Sequence, residues 1–421
     1  MSLFALVAMV SPDSFPSSIG SPDSSASSQG PFRHLHPDDL RGAAQLATEA
    51  TLGTTRLVEA VHASVLSHVR PGSTDARPCT TGLTGWIYRT VRGITRLSGY
   101  GTAWMIGAFG QAAGPTPRPD TEPRHRLLSV LNGVLGDHLD ASGSPLAHAF
   151  SLRTVDGRRI DVNAPNIAPT DTLVVFVHGL CLSDRAWVPT RADRPGHVDA
   201  LAAAVDGTPV LARYNTGRSI GANGQALSTH LQRWTTGPHG PSRIILVTHS
   251  MGGLVARSAV RHAHQTDASW PGLVTEMVYL GTPHRGAPLE RAGAWVENQL
   301  CQTSVTAPFA ALADLRSRGI QDLRHGIAAL NDASSTAVPS REDTIPTPGR
   351  ILYVAGTLTS DRPIRNTIGD GLVPVSSALD ASASSRLANR RVFEGIGHLD
   401  LLHDPAVTEY LRHWLSTADR G

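Results

Sequence analysis

The spacing of hydrophobic positions divides the chain into three parts. Residues 1–32 are dominated after the first ten by Ser, Pro, Gly and Asp, which bury too little apolar surface to order a chain, so we expect a disordered tail. Across 33–125, hydrophobic residues recur every three or four positions and predict a helical region. From 126 onward a short helix, a period-two segment and alternating strand and helix patterns follow. We therefore expect the main domain to span 126–421.

The second helix of the N-terminal region carries a continuous apolar stripe beside arginines. The stripe comprises Leu83, Trp86, Ile87, Val91, Ile94 and Leu97. We favour packing of this stripe against the rest of the protein, because most surface helices are amphipathic. The alternative is a peripheral contact with an anionic membrane surface, which suits a basic amphipathic helix containing Trp and Tyr.

Short aliphatic runs separated by helix-length segments dominate the main domain. An Asp156-Gly157 turn between two alternating segments predicts a β-hairpin. The later candidate strands are Leu173 to Val177, Pro209 to Tyr214, Ile244 to Val247, Val274 to Leu280, Arg350 to Ala355 and Arg391 to Glu394. This alternation predicts an α/β fold with a mostly parallel sheet, covered by helices on both faces, with its site at the strands' carboxyl ends. Residues 288–348 contain no strand pattern and form either a lid over that site or a structural insertion.

Composition excludes several kinds of chemistry. The net charge of +2 does not favour nucleic acid as a partner, and all 37 basic residues are arginine. Without lysine, the chain has no Walker-A loop, no Schiff-base chemistry and no Ser–Lys dyad. The three widely spaced cysteines form no zinc or disulfide pattern, which suits a reducing, cytoplasmic setting. We predict no cofactor, no metal, no signal peptide and no membrane-spanning segment.

A strand-to-helix junction at residues 244–257 is the strongest chemical signal. The aliphatic strand ends at His249-Ser250-Met251-Gly252-Gly253, and a helical pattern follows at once. This arrangement predicts a nucleophile elbow, in which a sharp turn presents Ser250 alone above the sheet. Thr248 stands where the usual G-x-S-x-G pattern has its first glycine, so its Cβ must be accommodated.

A serine nucleophile requires a base, an acid that orients the base, and donors for the oxyanion. We predict that His398 is the base, with His403 as a rival, because His398 follows the last candidate strand in a glycine-rich loop. Asp370 is the predicted acid, and it has the rivals Asp361 and Asp380. The predicted oxyanion donors are the backbone amides of Leu180 and Met251. His178 is expected to support the oxyanion loop by hydrogen bonding.

The segments named above, together with Gly281-Thr282-Pro283-His284, resemble those of a known family. From about 173 to 411 the chain is similar to α/β-hydrolases of the bacterial lipase and esterase type, close to PGAP1-like (GPI inositol-deacylase-like) hydrolases. The resemblance implies an α/β-hydrolase fold and hydrolysis of a lipid-like or small apolar ester through an acyl-enzyme. An acyltransferase using the same triad and a non-catalytic binding protein remain alternatives. Some bacterial lipases bind calcium through an Asp two residues after the catalytic His, where this chain has Asp400, but we identify no second carboxylate.

Overall fold

A seven-stranded sheet with the order β1-β3-β2-β4-β5-β6-β7 organises the computed structural model of the protein. The strands are Ser151–Arg153 (β1), Thr172–Val177 (β2), Gly207–Arg213 (β3), Arg243–His249 (β4), Val274–Leu280 (β5), Arg350–Thr357 (β6) and Ala388–Glu394 (β7). Every neighbouring pair is parallel except β1 with β3, which is antiparallel. Each of the six predicted aliphatic runs forms one of the parallel strands, so the predicted sheet is confirmed.

The structure describes residues 36–69, 80, 82–112, 121–162, 171–189, 196–237, 240–288, 317–326, 349–380 and 388–417. All of them belong to one compact unit, Leu35–Gly421. The predicted tail lies outside the described residues. Of the predicted insertion 288–348, the structure describes residues 288 and 317–326. The division into a helical region and a main domain therefore stays a prediction at those boundaries.

Helices connect the strands and cover the sheet. They are Pro37–Val69 (α1), Gly82–Ala112 (α2), Glu122–Ala141 (α3), His197–Ala204 (α4), Ile220–Thr235 (α5), Met251–Gln265 (α6), Arg318–His325 (α7), Arg362–Ile368 (α8), Val375–Ala378 (α9) and Pro405–Ser416 (α10). Among the described residues, no helix is long and apolar enough to cross a membrane.

The two faces of the sheet each bury an apolar layer. Along β2, Leu173, Val175 and Val177 face the layer formed with α3, α5 and α6, whereas Val174 and Phe176 face the layer formed with α4 and α10. Side chains of a strand point alternately to opposite faces, so a strand buried on both sides must be apolar at every position. This is why β2 appears in the sequence as an unbroken aliphatic run.

The predicted β-hairpin around Asp156-Gly157 forms with its turn and first strand, but its second arm is not a full strand. Gly157 has a φ of 87°, a left-handed conformation that suits glycine, and its amide donates to the carbonyl of Thr154. The second arm contributes one isolated bridge, between Arg153 and Arg159. The other edge of β1 pairs with β3, so this segment serves as the edge strand of the large sheet.

Helices α1 and α2 form an antiparallel hairpin. Inside it, Glu59 pairs with Arg92, and Gly99 lies so close to Thr48 that a Cβ on the glycine would overlap the threonine side chain. The first half of α1 contacts α3, where Arg124 Nε lies 2.6 Å from Asp39 Oδ2. The hairpin is therefore held to the sheet-containing part through α1.

The favoured interpretation of the α2 stripe is wrong for the described residues. We expected it to pack inward, but Trp86, Ile94 and Leu97 are 59%, 64% and 79% exposed. The face of α2 that packs on α1 instead carries small residues, including Gly99, Gly107 and Gly110, which lie against Thr48, Arg41 and Pro37. Because small residues allow the two helices to approach closely, the large apolar side chains are left on the outer face.

A buried ion pair fixes the loop that follows β2. Asp184, fully buried in the short 3-10 turn Asp184–Trp187, pairs with Arg213 at the end of β3, with Nη2 and Oδ2 3.0 Å apart. Burial alone would raise the pKa of Asp184, but the Arg213 guanidinium outweighs it and holds the pKa below its ordinary value. The pair therefore depends on an ionised Asp184.

We predict that Arg213→Leu lowers the free energy of unfolding by about 3–5 kcal/mol near neutral pH, because it leaves a buried carboxylate without its partner. The change Arg412→Leu on the exposed face of α10 serves as the control and should leave the free energy of unfolding nearly unchanged, because exposed ion pairs contribute little. Urea denaturation followed by circular dichroism measures both.

The same pair sets a pH dependence. The folded-state pKa of Asp184 is depressed, so its stabilisation is present above the unfolded-state pKa and is lost as the pH falls towards the folded-state value. In wild type this contribution should disappear on acidification, and Arg213→Leu should remove most of that acid sensitivity. Equal acid sensitivity in the two proteins would contradict the assignment.

Candidate active site

Ser250 occupies a sharp turn between β4 and α6. Its φ and ψ are 53° and −126°, a strained conformation for a residue with a side chain. Its amide donates to the carbonyl of Leu280, 2.8 Å away, at the end of β5. The strand and helix on either side thus stabilise the strained conformation. Ser250 has the positive φ and the sharp strand-to-helix turn expected of the predicted elbow.

Glycine is required after the elbow because backbones meet there. A Cβ on Gly252 would overlap the Val177 carbonyl oxygen and lie 2.6 Å from the carbonyl oxygen of His178. A Cβ on Gly253 would overlap the side chain of Thr282. The first turn of α6 therefore packs directly on the carboxyl end of β2.

Thr248 replaces the first glycine of the usual motif without distorting the turn. It is fully buried, and its hydroxyl donates to the carbonyl of Val278 on the neighbouring strand β5 at 2.8 Å. The departure noted in the sequence is accommodated because the polar group of the side chain has a partner inside the sheet.

His398 and Asp370 form a buried hydrogen-bonded pair. His398 Nδ1 lies 2.7 Å from Asp370 Oδ2, and the His398 amide donates to the Asp370 carbonyl at 3.0 Å. The other carboxylate oxygen of Asp370 accepts the amides of Leu372 and Val373 at 3.0 and 2.8 Å. Since an ionised Asp accepts at both oxygens, His398 Nδ1 carries the proton and Nε2 is left as the basic atom.

Two contacts bring this pair to the elbow. His249, the residue before the nucleophile, bonds through Nε2 to the His398 carbonyl at 2.9 Å, and the two rings lie 4.8 Å apart. Gly281 follows Leu280, whose carbonyl accepts the Ser250 amide. A Cβ on Gly281 would be 3.1 Å from Asp370 Oδ2 and 3.3 Å from His398 Cε1, so the pair lies against this residue. The structure thus collects Ser250, Asp370 and His398 at the carboxyl ends of β4, β6 and β7.

The rival residues are placed elsewhere. Asp380 Oδ2 accepts from Arg257 Nη1 at 2.9 Å, so its carboxylate is engaged in a buried ion pair. Asp361 lies exposed at the start of α8, and His403 is exposed at the start of the turn leading to α10. Among these candidates, the structure pairs only Asp370 with His398.

Two backbone amides face the region where an oxyanion would form. Leu180 and Met251 are buried, and neither amide donates to an acceptor within the described part of the chain. The next amide, that of Cys181, is occupied by Thr216 Oγ1 at 3.2 Å. A Cβ on Gly179 would lie 2.9 Å from the Ser250 Cβ, so the Leu180 loop approaches the nucleophile closely. The geometry suits the predicted oxyanion hole, whose role stays a prediction.

His178 supports the oxyanion loop as predicted. Its Nδ1 bonds to the Gly179 carbonyl at 2.9 Å, and its ring stacks on Tyr214 with centroids 4.3 Å apart. The Tyr214 hydroxyl donates to the His178 carbonyl. Burial lowers the pKa of His178 to about 4, so at neutral pH the ring is neutral and donates from Nδ1.

Sequence analysis missed the structural role of two further histidines. Burial, together with the nearby His398, lowers the pKa of His249 well below its ordinary value, so a neutral His249 donates from Nε2 to the His398 backbone. Burial also lowers the pKa of His284, which packs edge-on against Tyr279 and Tyr353. The position of His249 next to Ser250 was the one sequence signal for a role at the site. The partner of the His249 ring depends on the geometry of the turn.

A narrow apolar cleft opens at Ser250. It is lined by Leu180, Pro283, Ala287, Leu323, Leu372 and Val373. Its open volume is about 10 Å³, which is about the space that one water requires. Leu323 lies on α7, inside the predicted insertion, so the insertion forms one wall of the cleft.

Asp400 has a structural partner. Its Oδ2 accepts the Gly397 amide at 3.0 Å, which shapes the loop that carries His398. Within the described residues, no group of three His, Cys, Asp or Glu side chains is arranged to hold a metal ion. Asp400 therefore acts here as a loop-forming residue.

A family model, the PGAP1-like alpha/beta domain, matches residues 222–341, less than a third of the chain. The matched range contains the elbow and the Gly-Thr-Pro-His segment after β5. Combined with the strand order and the antiparallel first strand, the match decides the architecture. The chain has the α/β-hydrolase fold. The resemblance predicted from the sequence is confirmed.

Solved structures similar to this chain include a Bacillus licheniformis lipase in mature form, 18% identical, with a TM-score of 0.39 over 63% of this chain and 98% of that chain. An esterase from a Rhodococcus species is 15% identical, with a TM-score of 0.36 and coverage of 63% and 98%. Carboxyl esterase 2 from Tuber melanosporum is 14% identical, with a TM-score of 0.37 and coverage of 61% and 78%. No curated protein sequence matches the chain.

We predict that Gly252→Ala lowers the free energy of unfolding by about 1–3 kcal/mol, because the added methyl group meets backbone oxygens that cannot move aside. Gly221 is the matched control, since it is also the second residue of a helix and a Cβ there would meet nothing within 4 Å. Gly221→Ala should stabilise by about 0.5–1 kcal/mol. Similar urea midpoints for the two variants would contradict the proposed close approach.

Proposed function

We propose that the protein is a serine carboxylic-ester hydrolase that acts through an acyl-enzyme on a lipid-like or small apolar ester. The observation that carries the proposal is the 2.7 Å pair between His398 and Asp370, held against the strained elbow of Ser250. This arrangement supplies a nucleophile, a base and an orienting acid in one buried place. The two unoccupied amides of Leu180 and Met251 add donors for a developing oxyanion.

In the proposed acylation step, Ser250 Oγ attacks the ester carbonyl while His398 Nε2 takes its proton. The bond between Oγ and the acyl carbon forms, and the carbonyl oxygen becomes an oxyanion that accepts from the Leu180 and Met251 amides. His398 then gives the proton to the alcohol oxygen as the carbon–oxygen bond of the ester breaks. Asp370 stabilises the transient imidazolium and keeps the proton of the neutral ring on Nδ1.

In the proposed deacylation step, water takes the place of the departed alcohol. His398 Nε2 accepts one proton of this water as its oxygen bonds to the acyl carbon. The bond to Ser250 Oγ then breaks, and the same proton returns to the serine. The carboxylic acid leaves, and the enzyme recovers its initial protonation state.

The lining of the cleft supports an apolar acyl group. The residues around Ser250 are aliphatic or proline, and none carries a charge. Because burial of apolar surface contributes about 25 cal/mol per Å², such a lining discriminates in favour of alkyl chains. Because the open volume holds about one water, Leu323 or its helix must shift before an acyl chain can enter.

We expect wild type to hydrolyse p-nitrophenyl esters and Ser250→Ala, His398→Ala and Asp370→Asn each to lower kcat on the order of 10⁴-fold or more. Two matched controls use the rival positions, His403→Ala and Asp361→Asn, which should retain most of the activity because both residues are exposed and neither lines the cleft at Ser250. A series of acyl lengths from acetate to palmitate would define the preference. Loss of activity in the controls, or activity in Ser250→Ala, would contradict the assignment.

A covalent probe separates catalysis from simple binding. A fluorophosphonate should phosphonylate Ser250 with loss of fluoride, and mass spectrometry should locate the added mass on the peptide containing residue 250. The Asp370→Asn variant should react far more slowly. Absence of labelling in wild type would overturn the proposed nucleophile even if a weak esterase activity were measured.

We also predict that Leu323→Ala shifts the preference towards longer or bulkier acyl groups by removing one wall of the cleft. The ratio of kcat/KM for octanoate to that for acetate should rise about tenfold, since one to three methylenes of added space correspond to about 1–3 kcal/mol. Gln321→Ala, an exposed change on the same helix, is the control. An unchanged ratio would show that Leu323 does not limit the cleft.

A further inference from the structure

We propose that the outer face of the α1–α2 hairpin binds the surface of a lipid membrane that carries anionic headgroups. This outer face is defined by the large exposed hydrophobic side chains of α2, on the side of the helix that points away from α1. They include Trp86, Ile94, Leu97, Tyr100, Trp104 and Phe109. The proposal is independent of the proposed ester hydrolysis, because it concerns a different surface and a different measurement.

The size of the apolar surface is the first argument. Trp86, Trp104 and Phe109 are 59%, 72% and 74% exposed. An aromatic side chain carries about 150–250 Å², so these three rings alone expose on the order of 300 Å². With the six other large exposed side chains of α2, the face exceeds the few hundred Å² that soluble monomers usually leave open. Such a surface requires an apolar partner.

The side chains form one stripe rather than a scatter. Along α2 they recur at intervals of three or four residues, as in Ile87, Val91 and Ile94 and again in Tyr100 and Trp104. This spacing places them on one side of a helix. From Trp86 to Phe109 the stripe extends about 35 Å at 1.5 Å per residue. A long, straight apolar stripe matches a flat partner better than it matches a pocket.

The charge of the hairpin favours an anionic partner. Helix α2 contains three arginines and no acidic residue. Arg89 and Arg96 are exposed, and on a helix they lie along one edge of the stripe; the described part of the chain provides neither with an ion pair. Arginine beside an apolar stripe is the pattern of helices that lie in the headgroup region of a bilayer.

The acidic groups of the hairpin are already engaged. Asp38 pairs with His36, Asp39 with Arg124, Glu49 with His138, and Glu59 with Arg92. The last three contacts point towards α3 or into the seam between α1 and α2. They remove negative charge from the outer face, so headgroup phosphates would meet arginine and apolar side chains together.

The aromatic residues indicate the depth of the contact. Trp and Tyr prefer the boundary between headgroups and acyl chains, because their rings are apolar and their N–H or O–H groups are polar. Trp86, Tyr100 and Trp104 are distributed along the stripe instead of clustering at one end. Within the described residues no helix is apolar enough to cross a bilayer, so the geometry points to a helix lying in the plane of the surface.

Vesicle co-sedimentation of the full chain tests the proposal. We expect binding to vesicles of phosphatidylcholine with 30% phosphatidylglycerol and at least tenfold weaker binding to phosphatidylcholine alone. Raising the salt concentration should weaken the first interaction, because exposed charges are screened. Equal affinity for the two lipid compositions would overturn the commitment to anionic headgroups.

Two variants separate the apolar and the charged contributions. The double change Leu97→Glu and Phe109→Glu should abolish binding, whereas Arg89→Gln with Arg96→Gln should weaken it by about fivefold per arginine. The matched control places the same two negative charges on exposed helix positions of the main domain, Gln225→Glu and Ala406→Glu. Circular dichroism verifies that each variant is folded.

The outcomes distinguish a membrane from a second copy of the chain. If wild type sediments with vesicles and the stripe variant does not, while the control binds normally, the proposal holds. If wild type is a dimer that Leu97→Glu with Phe109→Glu converts to a monomer, and vesicles are not bound, the face is a protein interface and the proposal is wrong. Failure of a folded wild type to bind any vesicle also overturns it.

Discussion

The candidate site depends on one steric constraint, the direct contact between the first turn of α6 and the carboxyl end of β2. Gly252 lies where any Cβ would overlap the Val177 carbonyl oxygen, so the helix can reach the strand only with glycine at this position. That contact brings the Met251 amide, at the start of the helix, close to the Leu180 loop that follows β2. It also leaves Ser250 with a left-handed backbone, supported by the bond from its amide to Leu280. A strained turn can persist in a folded protein when several surrounding contacts hold it in place.

Four buried histidines lie around this contact, and one of them, His398, differs from the others by having a carboxylate partner. His178, His249 and His284 are buried, and burial lowers the pKa of each, so all three are neutral hydrogen-bonding or packing groups. His398 alone among them has a carboxylate on Nδ1, at 2.7 Å. Of these four rings, His398 is therefore the one that the proposed mechanism uses as the base, with Asp370 offsetting the cost of a buried positive charge.

The N-terminal hairpin uses a different physical solution. Its two helices approach closely where Gly99 meets Thr48. Polar pairs, such as Glu59 with Arg92 and His62 with Tyr88, occupy other parts of the seam. Large apolar residues such as Leu97 and Phe109 are consequently placed outside. The main domain has the opposite arrangement, with the aliphatic strand β2 buried on both faces. The chain thus combines a self-sufficient core with a helical surface that lacks an apolar partner among the described residues.

The sequence by itself determined the parallel sheet, the elbow at Ser250 and the identity of the main candidates, because aliphatic runs, glycines and chain order are local signals. It named Asp370, but it could not exclude Asp380, since only the fold shows that Arg257 pairs with Asp380. It placed His249 on the wrong side of the elbow for catalysis, but it could not show that the ring bonds to the His398 backbone. The α2 stripe shows the same limit: a helical pattern defines an apolar face, whereas its exposure depends on which other face packs on α1. Spacing along the chain fixes local geometry, and only tertiary contacts decide which polar groups are paired and which apolar faces are covered.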